Sequence, residues 1–217
     1  DSHPSLLTDP AAQVADGLAE QYVLRYMLDV ESRGSASLLN VDAFSDPTGY
    51  VLRAKRSGSD ESRDVCVDLL ETFNWLLGLR VEHIEAPQRF TATFDRDAEG
   101  RLRLAGGGLR SDSRGPYWFR SVVGTTPEDG RTLVIWRTCP GGDSAEAAEQ
   151  NNLVLDEWFT RQRYSTRDPE FDFIFVNGDN NLENLKAVDE ESTARARWKV
   201  RLIEEDFFRL MFEGEGA

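Results

Sequence analysis

Lysine is nearly absent from this chain. Only Lys55, Lys186 and Lys199 occur among 25 basic residues, and the rest are arginine. Set against 39 carboxylates, they leave a net charge of −14. So acidic a whole argues against phosphate-backbone binding by the entire surface, because the summed field repels a polyanion. Salt weakens that argument. Near 1 M the Debye length is about 3 Å, so local basic faces have to be judged singly. Excess carboxylate with little lysine fits a cell of high internal salt, and a GC-rich genome would equally favour arginine.

Cysteine and histidine are also scarce, with Cys66, Cys139, His3 and His83 the complete set. No pair among them has metal-ligand spacing, which argues against a zinc site. Free thiols at this density suit a reducing cytoplasm, and Cys66 reads as a small buried residue. No apolar run approaches the ~18 residues of a membrane span, and no signal-peptide pattern is present. The N-terminus, Asp1-Ser2-His3-Pro4, lacks a methionine, so the chain is expected to be a piece of a longer protein. Catalytic signatures are missing too: no G-x-S-x-G elbow, Walker loop, H-E-x-x-H or Cys–His pairing occurs. Asp168-Pro169-Glu170 lacks a partner lysine for a nuclease cluster. No catalytic residue and no metal ligand is assigned.

What is present is a patterned, foldable chain. With 40% hydrophobic and 10% aromatic residues over 217 positions, it can build one α/β domain with a sizeable core, residues 1–217. Residues 9–32 read as an amphipathic helix. The strongest pattern is Asp64 to Leu79, where Val65, Leu69, Phe73, Leu76 and Leu77 recur at helical spacing. It predicts a core helix capped at Asp64 and stopped at Gly78, with Asp68, Glu71 and Thr72 on its polar face. Short strands follow at 80–84, 89–95, 101–105 and 117–123, with Gly106–Gly108 as a flexible hairpin connection. Arg131 to Thr138 is apolar on both faces, as in a central strand. A helix opened by an Asp143/Glu146 capping box and a strand at 171–176 complete a parallel βαβ unit. A last strand at 198–202 and a helix using Ile203, Phe207, Leu210 and Met211 end the chain. The expected fold is a single mixed-sheet α/β domain with helices packed on the sheet.

Three places hold candidate functional residues. Parallel strands share their C-terminal edge, which brings Arg137 near Asn177, Gly178 and Asp179, where open α/β sheets place ligands. There Arg137, Asn177 and Asp179 either bind a carboxylate or phosphate or form a structural ion pair with an Asx turn. Asn74 falls on the apolar stripe of Leu70 and Leu77 and must find hydrogen-bond partners. In R-A-R-W-K-V-R (195–201), strand alternation puts Arg197, Lys199 and Arg201 on one side and Trp198, Val200 and Leu202 toward the core. That stripe is either a DNA contact or a charge-protected edge strand.

Several stretches resemble a known family in order along the chain: Y-V-L-R-Y-M-L-D-V-E-S-R-G-S (22–35), D-P-T-G-Y (46–50), V-D-L-L-E-T-F-N-W-L-L-G-L (67–79), V-I-W-R (134–137), F-V-N-G-D-N-N-L (175–182) and I-E-E-D-F-F-R-L-M-F (203–212). The chain resembles the C-terminal region of the methylation (Mod) subunit of Type III restriction–modification systems, which are site-specific adenine DNA methyltransferases. These enzymes transfer a methyl group from S-adenosylmethionine to adenine N6. They hold the flipped base with a D/N-P-P-Y type motif and the cofactor with an F-x-G-x-G type motif. Neither motif occurs here, and the nearest string, Gly115-Pro116-Tyr117-Trp118, has one proline and no Asp or Asn before it.

The resemblance implies a non-catalytic, cytoplasmic domain with no cofactor of its own, S-adenosylmethionine belonging to the parent enzyme. Its implied partners are the rest of the methyltransferase chain, a second Mod subunit, a restriction (Res) subunit, and DNA through the complex; no membrane is involved. Two alternatives stand beside it. One is a small α/β hydrolase or nuclease working at the Arg137/Asn177/Asp179 edge. The other is a DNA-reading module using the 195–201 stripe.

Overall fold

A computed structural model describes residues 41–55, 62–187 and 197–212. The helix expected over 9–32 lies outside these residues. The chain divides into two compact units, residues 1–40 with 51–66, and 41–50 with 67–217. The described part of the first unit is an antiparallel hairpin of β1 (Val51–Lys55) and β2 (Ser62–Cys66), running from the pair Val51/Cys66 to Lys55/Ser62.

This hairpin shortens the expected core helix. Asp64 and Val65 belong to β2, and Cys66 is exposed rather than buried. In the second unit, helix α1 spans Leu69–Leu76, and its N-cap is Asp68. The Asp68 carboxylate accepts from Leu70 N–H (3.0 Å) and Glu71 N–H (3.1 Å), a cap that contributes about 1 kcal/mol. Thr72, expected on a polar face, is buried and donates its hydroxyl to the Asp68 carbonyl. Gly78 ends the helix as foreseen. Its φ of +61° lets Leu79 N–H reach back to the Asn74 carbonyl at 2.8 Å.

After α1 come β3 (Arg80–Ile84), β4 (Gln88–Arg96), β5 (Leu102–Ser111), β6 (Tyr117–Thr125) and β7 (Arg131–Arg137). Helix α2 (Ala145–Arg161) leads to β8 (Phe173–Val176). The short strands β9 (Lys186–Ala187), β10 (Arg197–Trp198) and β11 (Val200–Leu202) precede helix α3 (Ile203–Phe212). The main sheet has seven strands in the order β11-β8-β7-β6-β4-β5, with β3 pairing β6 beside β4. It is mixed: β7–β8 and β8–β11 are parallel, while β6 pairs antiparallel with β7, β4 and β3. The fold is α/β, and β7–α2–β8 is the expected parallel unit.

Three local expectations are corrected. The cap of α2 is Ser144, whose hydroxyl accepts from Ala147 N–H, not Asp143. The triple glycine is no hairpin connection but sits inside β5 where its register with β4 shifts. Gly107 takes a φ of +69°, and a Cβ on Gly108 would stand 2.6 Å from the Thr93 carbonyl oxygen. A bulge needs that freedom, and glycine supplies it. The strand expected over 198–202 breaks at Lys199, because β10 pairs with β9 while β11 pairs with β8. Trp198, expected in the core, is 48% exposed.

Alternation along the strands gives the sheet two buried faces. On one, Phe119, Leu133, Ile135, Ile174 and Val176 pack against Val154, Leu155 and Trp158 of α2. The rings of Phe119 and Trp158 stack at 4.6 Å. On the other, Phe73 of α1 meets Trp136 (6.0 Å), Phe175 (5.4 Å) and Phe207 of α3 (5.9 Å). These two faces bury β7 completely from Leu133 to Trp136.

Candidate functional site

Three parallel strands, β7, β8 and β11, end along one edge of the sheet, and each hands a polar residue to it. Arg137 closes β7, Asn177 follows β8, and Glu204 lies in the first turn of α3 directly after β11. The structure thus brings Arg137, Asn177 and Asp179 together at the edge that the parallel pairing specifies.

The geometry is that of a closed knot. Arg137 is 1% exposed, and its guanidinium donates to three main-chain carbonyls. Nε reaches Asn177 (3.1 Å), Nη1 reaches Asn151 of α2 (2.8 Å) and Nη2 reaches Asp179 (2.6 Å). Asn177, fully buried, accepts from Arg137 N–H at 2.7 Å through its side-chain oxygen. Its amide nitrogen donates to the carbonyls of Phe44 and Arg137, both at 2.8 Å. Asp179 therefore meets the arginine through its backbone rather than as an ion pair, and Asn177 bridges strands rather than making an Asx turn. A guanidinium so placed satisfies the carbonyls of Asn177 and Asp179 beyond the end of β8 and adds a donor to the Asn151 carbonyl inside α2, which is a structural task.

Glu204 and Asn151 were not singled out from the sequence. Asn151 donates its amide to the Pro140 carbonyl at 3.1 Å, and its side-chain oxygen has no partner among the described residues. The signal for Glu204 was available: it is a carboxylate in the first turn of a helix that starts where a strand stops. One of its oxygens accepts from Gly178 N–H at 2.7 Å, and the other is buried without a partner among the described residues. Burial pushes the Glu204 carboxyl above the usual glutamate range, against the pull of the Gly178 N–H and Arg137. Burial likewise raises the Cys139 thiol, opposed by Arg137. That thiol is held in its unreactive form.

Glu204 makes stability depend on pH. Its folded value lies above its unfolded one, so its contribution is complete below the ordinary glutamate range and is lost as pH rises through the folded value. Glu204→Gln is expected to flatten the decline of unfolding free energy across that window. Denaturant titrations at a series of pH values read the slope, and an unaltered slope would contradict the assignment.

The remaining candidates stand apart. Asn74 is buried on α1; its carbonyl accepts from Leu79, and its side-chain oxygen has no partner among the described residues. Among the described residues, no hydrogen bond links it to the knot. The Arg197 side chain lies outside the described residues. Lys199 donates to the Asp168 carbonyl. Arg201 lies 5.6 Å over the Phe173 ring and 5.8 Å over Phe175, with Asp206 3.3 Å away. Lys199 and Arg201 are thus tied to the fold by different partners and do not form one free basic row. Among the described residues no group of three or more His, Cys, Asp or Glu is placed to hold a metal ion, and no helix is long and apolar enough to cross a membrane. Compared with protein-family models, curated proteins and solved structures, the chain matches none.

Proposed function

We propose that the chain is a non-catalytic C-terminal domain of a site-specific N6-adenine DNA methyltransferase of the Type III Mod kind, acting as a scaffold for subunit association or DNA positioning. One observation carries the reading. Four of the stretches that resemble that family supply Phe73, Trp136, Phe175 and Phe207, whose rings meet on one face of the sheet. Three of the same stretches supply Arg137, Asn177 and Glu204 of the polar knot. The shared wording thus belongs to residues that hold strands and helices together, as expected for a scaffold whose catalytic motifs lie elsewhere in its parent. In that role it works in the cytoplasm, binds no cofactor itself and relies on S-adenosylmethionine held by the catalytic part. The hydrolase or nuclease alternative finds little at this edge, because the Arg137 guanidinium already faces three carbonyls.

Reading the codons immediately upstream is the test. A D-P-P-Y-like and an F-x-G-x-G-like motif are expected in the same frame; a whole reading frame without them overturns the proposal. In calorimetry the 217-residue chain alone is expected to give no heat with S-adenosylmethionine, and micromolar binding would contradict the scaffold role.

A further inference from the structure

Strand register gathers three arginines that the sequence scatters. In the β4–β6 ladder Arg89 lies opposite Trp118, and Arg120 follows Trp118 by two residues, so Arg89 and Arg120 share a face. In the β4–β5 ladder Arg110 lies opposite Thr91, two residues after Arg89, and joins the same face. It is the face opposite α2, since the intervening Phe90, Leu109 and Phe119 pack into the α2 core. Arg110, Arg89 and Arg120 therefore run as a slanted line across three adjacent strands. Diagonal neighbours of this kind stand about 7–8 Å apart.

Their alignment distinguishes them, since Arg80, Arg101, Arg114 and Arg163 also have no carboxylate partner among the described residues but do not join this line. Arg96, Arg103, Arg131 and Arg167 each pair with a carboxylate. Among the described residues, Arg89, Arg110 and Arg120 have no carboxylate partner. Each is tethered by one bond to a main-chain carbonyl: Arg89 to Gly115 (3.1 Å), Arg110 to Gly107 (3.2 Å) and Arg120 to Glu85 (3.3 Å). The neighbouring carboxylates are otherwise engaged, Glu85 with His83 and Asp112 with Arg114 N–H. Arg89 and Arg110 are exposed and Arg120 is half-buried. A guanidinium has five N–H donors, so each tether holds the fork in place while leaving donors for an anion.

We infer that Arg110, Arg89 and Arg120 form a contact stripe for the phosphate backbone of duplex DNA, which rests on the reading of the chain as part of a DNA-modifying enzyme. In a chain of net charge −14, three unneutralised arginines in line are a local exception that fits a polyanion of regular spacing. Contacts of this sort position a protein on DNA without reading its sequence.

The test is the salt dependence of duplex binding by the 217-residue chain, compared with the triple variant Arg89→Gln, Arg110→Gln, Arg120→Gln. Each phosphate contact contributes about 0.9 to the slope of log K against log salt, so the variant is expected to lose about 2–3 from that slope. A triple lysine variant should recover most of the loss, which separates charge from misfolding. Lys199→Gln should leave the slope unchanged. An unchanged slope in the glutamine variant, or no duplex binding by the parent chain at low salt, overturns the inference. So does loss of binding to phosphatidylserine vesicles with duplex binding intact. An upstream frame carrying the methyltransferase motifs together with any of these failures ends this inference alone. A frame without the motifs ends the parent reading, whatever the slope.

Discussion

Arg137→Met is expected to lower the unfolding free energy by about 4 kcal/mol, among the largest single losses foreseen for this chain. Methionine fills much of the aliphatic volume but donates nothing. The carbonyls of Asn151, Asn177 and Asp179 would each lose the guanidinium as a donor inside the fold. The Asn151 carbonyl keeps its place in the helix ladder, whereas an acceptor stranded at Asn177 or Asp179 costs about 1–3 kcal/mol. Lysine should not rescue it. A single ammonium cannot reach three carbonyls arranged around a planar fork, so Arg137→Lys is expected to recover less than half the loss. Guanidinium or urea titration monitored by tryptophan fluorescence reads both variants. A midpoint within error of the parent would show that the knot contributes nothing.

Phe73→Ala should follow closely, at about 3–5 kcal/mol. Phe73 is fully buried and touches rings from β7, β8 and α3 at once, so its removal opens a cavity where three elements converge. Phe73→Leu keeps most of the volume and gives up the edge-to-face contacts, for an expected loss of about 1.5 kcal/mol. The pair separates cavity cost from ring geometry. Thermal unfolding reads both, and equal losses for alanine and leucine would point to the rings rather than the cavity.

Much of the architecture was legible because two signals agreed. Leu133 to Trp136 is apolar on both faces, and the helix after it ends within reach of a second such run, which leaves a parallel unit as the economical arrangement. The shared edge of Arg137 and Asn177 followed from that. Their partners did not, since a main-chain carbonyl such as that of Asn151 leaves no mark in a sequence. The start of α1 was misplaced because Asp64 and Asp68 lie one helical turn apart and both precede apolar residues. Pairing of 62–66 with 51–55 decided between them, and that is a tertiary fact. R-A-R-W-K-V-R alternates like one strand, but its two halves pair with different strands. Gly106–Gly108 looked like a loop because composition alone does not distinguish a bulge from a turn. The arginine stripe was invisible for a simpler reason: its members come together only once the ladders fix which residues face one another.

The knot around Arg137 also has a consequence in time. Its bonds close loops of long range, with 40 residues separating Arg137 from Asn177 and 133 separating Phe44 from Asn177. Contacts so distant in sequence form only after the intervening chain has collapsed and paired, because their loop entropy must first be met. Interactions completed after the folding barrier act on the rate of escape from the native state rather than on the rate of reaching it. The buried arginine is thus expected to act as a latch on unfolding, with Arg137→Met raising the unfolding rate more than it lowers the folding rate in stopped-flow kinetics.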